Sequence, residues 1–286
     1  MASMKSKKPL VQRLKKNLKR PFRHQIAERQ AHRDFLKFRR MASSGNRFPL
    51  RWDDRLIIAN ENTATTDFPR NYVYHTAWAA RMLRQIQPDR HVDVSSSLYF
   101  SAIVSAFVPV DFYDYRPAKL VLNNFTSSRG DLTRLDFADA SVECLSCMHV
   151  VEHIGLGRYG DPLDPDGDLK AIAELKRVVR PGGHLLFVVP TGQARICYNA
   201  HRVYGYRQVL SYFSEMQLVE TALVTADGAP PEGLKSNAPE ELVNQAIGRH
   251  RMLFVSAAPE LTGPGLPGAR VPVHYDLSVG VAARDV

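Results

Sequence analysis

Three side chains in this sequence are suited to moving a proton near neutral pH. His153 and His201 stand on segments that follow predicted buried strands, and histidine titrates close to physiological pH. Glu152 precedes His153 directly and could orient a histidine ring. Either imidazole could act as a general base toward a hydroxyl brought within hydrogen-bond reach. The ordinary alternative for each is a histidine that satisfies local backbone groups.

A second cluster is acidic: Asp161, Asp164, Asp166 and Asp168. Counted as a calcium loop from Asp164, positions six and twelve fall on Leu169 and Leu175, where that loop needs Gly and Glu. No metal site is expected, and Asp166 or Asp168 is expected to cap a helix. Cys144 and Cys147 lie three apart in an apolar run. On a strand they face opposite sides, so they read as buried free thiols and not as a zinc pair. Tyr72, Tyr74, His75 and Trp78 could cover a sugar-binding site, but helix packing is the expectation for them.

The elements that must position these residues follow from periodicity. Trp78, Met82 and Ile86 form one stripe of a helix over 71–87, and Pro88 ends it. His91–Val94 and Val110–Asp114 read as short strands. Between them Phe100, Ile103, Val104 and Phe107 lie on one helical face. Val142–Met148 and Leu185–Val189 are nearly continuous in apolar or small residues, as parallel strands buried on both faces are. A helix over 168–180 should bury Leu169, Ile172, Leu175 and Val179, and Pro181-Gly182-Gly183 should stop it. A helix near 205–215 and strands near 217–225 and 251–256 complete the pattern.

Alternation of this kind predicts a Rossmann-like, doubly wound, mostly parallel sheet. The expectation is an α/β fold of seven strands with an antiparallel last strand, behind an N-terminal helical extension. The segments expected are a basic arm over 1–40, a helical lead-in over 41–89, the α/β domain over 90–258 and a loose tail over 259–286. Ligands of such sheets bind outside the carboxyl ends of the strands, where the strand order reverses. Asp114 stands 21 residues after Asp93 at the end of a strand, a place suited to ribose hydroxyls.

Charge is distributed unevenly. The 286 residues carry +9, yet residues 1–40 hold seven Lys and seven Arg against Glu28 and Asp34. The remainder is slightly acidic, which argues against a domain wrapped around nucleic acid. Leu10, Leu14 and Leu18 recur at i, i+4 and i+8 between Pro9 and Pro21. A solvated tail, a short basic helix on an anionic membrane surface, and a nucleic acid or acidic protein partner all remain open for this arm. No apolar run is long enough to span a membrane, and no apolar signal segment follows the basic start. The expectation is a cytoplasmic protein, at most peripheral to the inner membrane.

Two stretches carry a family resemblance. Residues 174–190, ELKRVVRPGGHLLFVVP, closely resemble the helix, turn and fifth strand of class I S-adenosylmethionine-dependent methyltransferases. Residues 136–154, DFADASVECLSCMHVVEHI, resemble the approach to that family's fourth strand and the loop after it. The segments GLGRYGDP at 155–162 and NAHR at 199–202 look like a bacterial branch of the superfamily associated with surface-polysaccharide synthesis. The resemblance covers roughly 90–225 and implies S-adenosyl-L-methionine as cofactor. It implies that the first loop, with Asp93, Ser95, Ser97 and Tyr99, cradles the methionine part. It further implies that Asp114 holds the ribose, that Asp131 and Leu132 lie by the adenine, and that His149 lines the pocket.

The implied activity is O-methylation of a glycan or nucleotide-sugar hydroxyl, with His153, His201 and Glu152 as catalytic candidates. The sequence departs from the family at Ser95, Ser97 and Tyr99, where the family's first loop has three glycines. Glycine there permits positive φ and close approach of backbone to ligand. Tyr99 is bulky enough to fill part of the pocket. The alternatives are a protein that keeps the fold as a binding or scaffolding module, or one that performs other sugar chemistry.

Overall fold

The computed structural model describes residues 10–42, 48–58, 61–224, 233–237 and 251–259. Two compact units divide the chain, residues 1–67 and 68–286. The first holds one long helix, α1 (Leu10–Met41), and a 3-10 turn at Trp52–Asp54. The short helix expected between Pro9 and Pro21 is instead the beginning of this element, which runs through Pro21. Arg, Lys, Leu, Gln and Ala are good helix formers and dominate both sides of that proline. No helix among the described residues is long and apolar enough to cross a membrane.

The second unit opens with α2 (Arg70–Ile86). It continues through β1 (His91–Val94), α3 (Leu98–Val104), β2 (Val110–Asp114), β3 (Phe125–Arg129) and β4 (Val142–Met148). Next come α4 (Gly167–Val178), β5 (Val179–Thr191), the hairpin β6 (Arg195–Cys197) and β7 (His201–Val203), and α5 (Tyr206–Tyr212). β8 (Met216–Val224), β9 (Leu234–Ser236) and β10 (Arg251–Pro259) close the order. Eight strands form the main sheet in the order β3-β2-β1-β4-β5-β10-β8-β9. Five neighbours, β3 through β5, are parallel, while β10 runs antiparallel between β5 and β8.

This is the Rossmann-like α/β fold expected, with two differences. β9 adds an eighth, antiparallel edge strand. β3 went unread because its sequence, Phe-Thr-Ser-Ser-Arg, buries only Phe125 and has no apolar alternation.

Alternation along the central strands divides the core between the two faces. Leu145 and Cys147 of β4, with Leu185, Phe187 and Val189 of β5, pack with Ile172 and Leu175 of α4 and Val209 of α5. Cys144 and Met148, with Leu186 and Val188, pack with Trp78, Met82 and Leu83 of α2 and Phe100 of α3. Cys144 and Cys147 thus face opposite sides as buried free thiols. Trp78 also donates its indole N–H to Glu220 at 2.9 Å.

Two helical faces differ from expectation. α3 stops at Val104, short of Phe107, and both Ile103 and Phe107 are exposed. α4 stops at Val178 because Val179 already pairs with Val142 in the sheet, and it buries Ala171 and Val178 while Leu169 faces solvent. Asp166 sits at the N-cap of α4 without a side-chain cap bond, and Asp168 instead accepts from the Tyr204 hydroxyl at 2.9 Å. The expected tail over 259–286 lies outside the described residues apart from Pro259, which ends β10.

His75 and His91 are fully buried, and burial is the main reason that the pKa of each falls to about 3. Between pH 6.5 and 3 such a group takes a proton only in the unfolded chain, so stability falls as pH falls. Burial raises Asp93 to about 6, which acts in the opposite sense below that pH. His91→Gln is therefore expected to flatten the loss of stability between pH 6.5 and 5. Urea unfolding at several pH values checks it, and an unchanged slope would contradict the assignment.

Candidate functional site

Strand order reverses between β1 and β4, and the loops at their carboxyl ends meet there. The β1–α3 loop is organised by Asp93, which has no exposed surface. One carboxylate oxygen accepts the Ser96 backbone N–H at 2.9 Å and the other the Ser101 hydroxyl at 2.8 Å. Ser95 adopts φ +58°, the left-handed conformation that glycine would adopt without strain. Its N–H donates to the Tyr113 carbonyl at 2.8 Å and its hydroxyl to the same oxygen at 3.1 Å, tying β1 to β2. The Ser96 hydroxyl accepts the Met148 N–H at 3.0 Å, tying the loop to β4.

The neighbouring loops are equally fixed. Asp114 accepts the Arg116 N–H at 2.7 Å. Asp131 accepts the Thr133 N–H at 2.9 Å and its hydroxyl at 2.7 Å. From α4, Arg177 donates to the carbonyls of Leu135 and Phe137, and Glu174 accepts the Leu135 N–H at 2.7 Å. That clamp holds the segment beginning at Asp131 against the domain.

Beyond β4, His149 stands at φ +63°. Its Nδ1 is 3.0 Å from Glu152 Oε1, and its ring stacks on Tyr72 with centroids 5.4 Å apart. A carboxylate only accepts, so His149 donates from Nδ1. Glu152 is buried, and its Oε1 also lies 3.8 Å from His153 Nε2. His153 Nδ1 is 2.6 Å from the Ala200 carbonyl, so that nitrogen carries hydrogen and leaves Nε2 as the acceptor of the neutral ring. Burial, its largest cause, lowers the His153 pKa against the opposing pull of Glu152. The His201 ring lies 6.4 Å from that of His153.

Two cavities lie over these loops. One of about 370 Å³ is lined by Ser95, Asp114, Asp131, Leu132, His149 and His153, with Arg116 and Tyr159 at its side. The other, about 430 Å³, is lined by Asn71, Tyr72, Ser97, Glu152, Arg158 and His201. Ser95, His149, His153 and Tyr159 border both, so the two are adjoining. These volumes fall in the range of small-molecule sites.

Tyr99 is the main departure from the sequence reading. Its ring is 86% exposed and it lines neither cavity, because α3 turns it outward. Asp93 lines neither and instead shapes the loop from beneath. Tyr72 divides from its neighbours: Trp78 and His75 are buried in packing, while Tyr72 borders the second cavity.

The acidic cluster is structural. Asp161 accepts the N–H groups of Gly155, Gly157 and Tyr159, and Asp164 pairs with Lys170 at 2.6 Å. Asp168 also faces Arg202 at 3.5 Å. No group of three or more such ligands could hold a metal ion among the described residues. Asn71, Ser96, Arg116, Arg158 and Tyr159 were missed at sequence level. Only the fold brings them together, although the glycines at 155, 157 and 160, all at positive φ, mark the shaped loop that carries two of them.

A family model described as a Caenorhabditis protein of unknown function matches residues 121–251, less than half of the chain. No curated protein matches it. Solved structures resemble it at low identity. The YcgJ protein of Bacillus subtilis is 14% identical, with TM-score 0.46 over 66% of this chain and 99% of its own. The 1,6-didemethyltoxoflavin-N1-methyltransferase of Burkholderia thailandensis, solved with S-adenosylhomocysteine, is 12% identical, with TM-score 0.44 over 65% and 78%. A TehB-like S-adenosylmethionine-dependent methyltransferase of Corynebacterium glutamicum is 13% identical, with TM-score 0.42 over 66% and 89%.

Asp161 holds the 155–161 loop across both cavities by three N–H bonds to one carboxylate. Asp161→Ala is expected to destabilise the protein by about 1.5–3 kcal/mol and to admit protease within 155–162. Urea unfolding and limited proteolysis check both effects.

Proposed function

We propose that the protein is an S-adenosylmethionine-dependent O-methyltransferase acting on a hydroxyl of a glycan or nucleotide sugar. The observation that carries the reading is the cavity at the β1/β4 switch. It gathers Ser95, Asp114, Asp131, Leu132 and His149 on four successive loops and leaves Tyr99 outside. The residues fit the cofactor. Ser95 reaches positive φ without glycine, and small side chains keep that wall of the cavity open. Asp114 and Asp131 each offer a second carboxylate oxygen beyond the one used in the loop turn.

In this reading Asp114 holds the ribose hydroxyls, Asp131 and Leu132 take the adenine, and Ser95 and His149 border the methionine part, while Ser97, expected there, lines the adjoining cavity instead. When bound, the cofactor supplies an electrophilic methyl group on a sulfonium. Holding the acceptor oxygen in line with that methyl accounts for much of the rate.

The acceptor belongs in the adjoining cavity. His153 Nε2 takes the hydroxyl proton there, since Nδ1 is committed to Ala200. Glu152 faces that nitrogen from 3.8 Å and stabilises the imidazolium that results. It also fixes the tautomer and tilt of His149. His201 borders the acceptor and steers its approach.

S-adenosylhomocysteine is expected to bind the purified protein by isothermal titration, with Asp114→Ala weakening it at least about tenfold. Absence of heat in the wild type would favour a binding or scaffolding protein that retains only the fold. With a glycosyl acceptor, product mass should rise by one methyl group. A different mass change would favour other sugar chemistry. His153→Ala is expected to lower kcat by about 10²–10⁴ with a much smaller change in cofactor affinity, although His153 also borders the first cavity. Because burial lowers the pKa of His153, the acidic limb of the rate profile should lie below that of an ordinary histidine.

We further infer that residues 1–40 hold the protein at an anionic membrane surface on the cytoplasmic side, by charge attraction. Deleting them is expected to abolish sedimentation with anionic vesicles at low salt. Unchanged sedimentation would remove the role.

A further inference from the structure

The loops after β2 and β4 bring two guanidinium groups to one ring. Arg116, from the loop after β2, lies with its guanidinium carbon 4.6 Å from the Tyr159 centroid, and Arg158 lies at 5.0 Å. Both arginines are exposed, and neither forms an ion pair among the described residues. The tyrosine face attracts each cation but leaves its charge uncompensated. Asp114 and Asp131 border the first cavity with Arg116 and keep one carboxylate oxygen each beyond their loop turns, yet neither pairs with its guanidinium among the described residues. The other nearby carboxylates are engaged elsewhere. Asp161 accepts three backbone N–H groups, Glu152 is buried against His149, and Asp164 pairs with Lys170.

Arg116 lines the first cavity, Arg158 the second, and Tyr159 both. The cations therefore flank the junction where donor and acceptor would meet. Arg158 keeps its place by donating Nη1–H to the Ala200 carbonyl at 3.0 Å, the same oxygen that orients His153. Arg158 Nη1 also lies 3.3 Å from His153 Nδ1, so an anion held by Arg158 would lie beside the ring assigned as base.

We propose that Arg116 and Arg158 bind a phosphate or diphosphate of the acceptor, so that the substrate is a phosphorylated sugar, such as a nucleotide sugar, and not a neutral glycan. The inference rests on the methyl-transfer reading of the same site and narrows its acceptor. Guanidinium suits this role because its planar fork meets phosphate oxygens in pairs. Two such groups against one ring offer an anion more than one donor fork. Around the second cavity the charged groups are Arg158, three histidines and the buried Glu152, a setting that favours an anion over a second cation.

The test is titration of the full chain with inorganic pyrophosphate at low ionic strength, followed by calorimetry. S-adenosylhomocysteine is titrated in parallel, and thermal melts confirm folding. Pyrophosphate is expected to bind the wild type, and Arg158→Ala to weaken it at least tenfold. Arg116→Ala should weaken it similarly. Arg158→Gln, which keeps a donor for Ala200, should weaken it as much as the alanine variant. S-adenosylhomocysteine affinity should stay within twofold in both Arg158 variants.

No pyrophosphate binding overturns the proposal. So does binding unchanged by the Arg158 variants, which would place the anion elsewhere, for example on the basic α1. Loss of S-adenosylhomocysteine binding with pyrophosphate unaffected would assign Arg158 to the carboxylate of the cofactor and also overturns it. If S-adenosylhomocysteine fails to bind the wild type while pyrophosphate binds through Arg158, the methyl-transfer reading falls and the phosphate site stands.

Discussion

The buried carboxylate of Asp93 is the constraint on which the rest of the site depends. It has no contact with solvent, yet it accepts from a backbone N–H and a hydroxyl on the turn that follows β1. A buried acceptor of this kind holds its donors firmly, because leaving it unmet costs a substantial fraction of the folding free energy. The turn therefore has one shape. That shape puts Ser95 at positive φ, points Ser96 toward β4, and starts α3 so that Tyr99 leaves toward solvent. The loop keeps its course without glycine because side-chain and backbone hydrogen bonds offset the strain at Ser95.

From that turn the site extends by shared partners. Ser95 reaches the end of β2 through Tyr113, and Ser96 reaches the end of β4 through Met148. The β4 loop then carries His149, Glu152 and His153 in one interacting row. Ala200, delivered by the β6–β7 hairpin, accepts from both His153 and Arg158. His153, Glu152 and Arg158 are thus fixed relative to each other by a few polar contacts. Parallel strands aimed at one edge make this possible, since each strand end contributes a loop to the same place.

Electrostatics divides the two cavities. The first is bordered by Asp114 and Asp131, whose free oxygens suit hydroxyl and amino donors. The second has histidines, an exposed arginine and a single buried glutamate. Burial lowers the pKa of His153, so its ring stays neutral where an exposed histidine would begin to protonate. A neutral imidazole beside an exposed guanidinium is the arrangement on which the proposed anionic acceptor rests.

Much of the fold was legible in the residues. Val142–Met148 and Leu185–Val189 appear as strands because parallel strands buried on both faces favour nearly continuous small or apolar runs. The opposite facing of Cys144 and Cys147 followed from a period of two. The sequence also placed Asp114, His149 and His153 beside strand ends. It did not reveal β3, whose polar edge needs only one apolar residue to dock, nor the continuation of α1 through Pro21. The outward turn of Tyr99 was decided by tertiary structure, as was the convergence of Arg116, Arg158 and Tyr72 on the site. Local periodicity reports which face of an element is apolar. Side chains on different loops meet only once the sheet order and the hydrogen bonds of the turns have set where each strand end points.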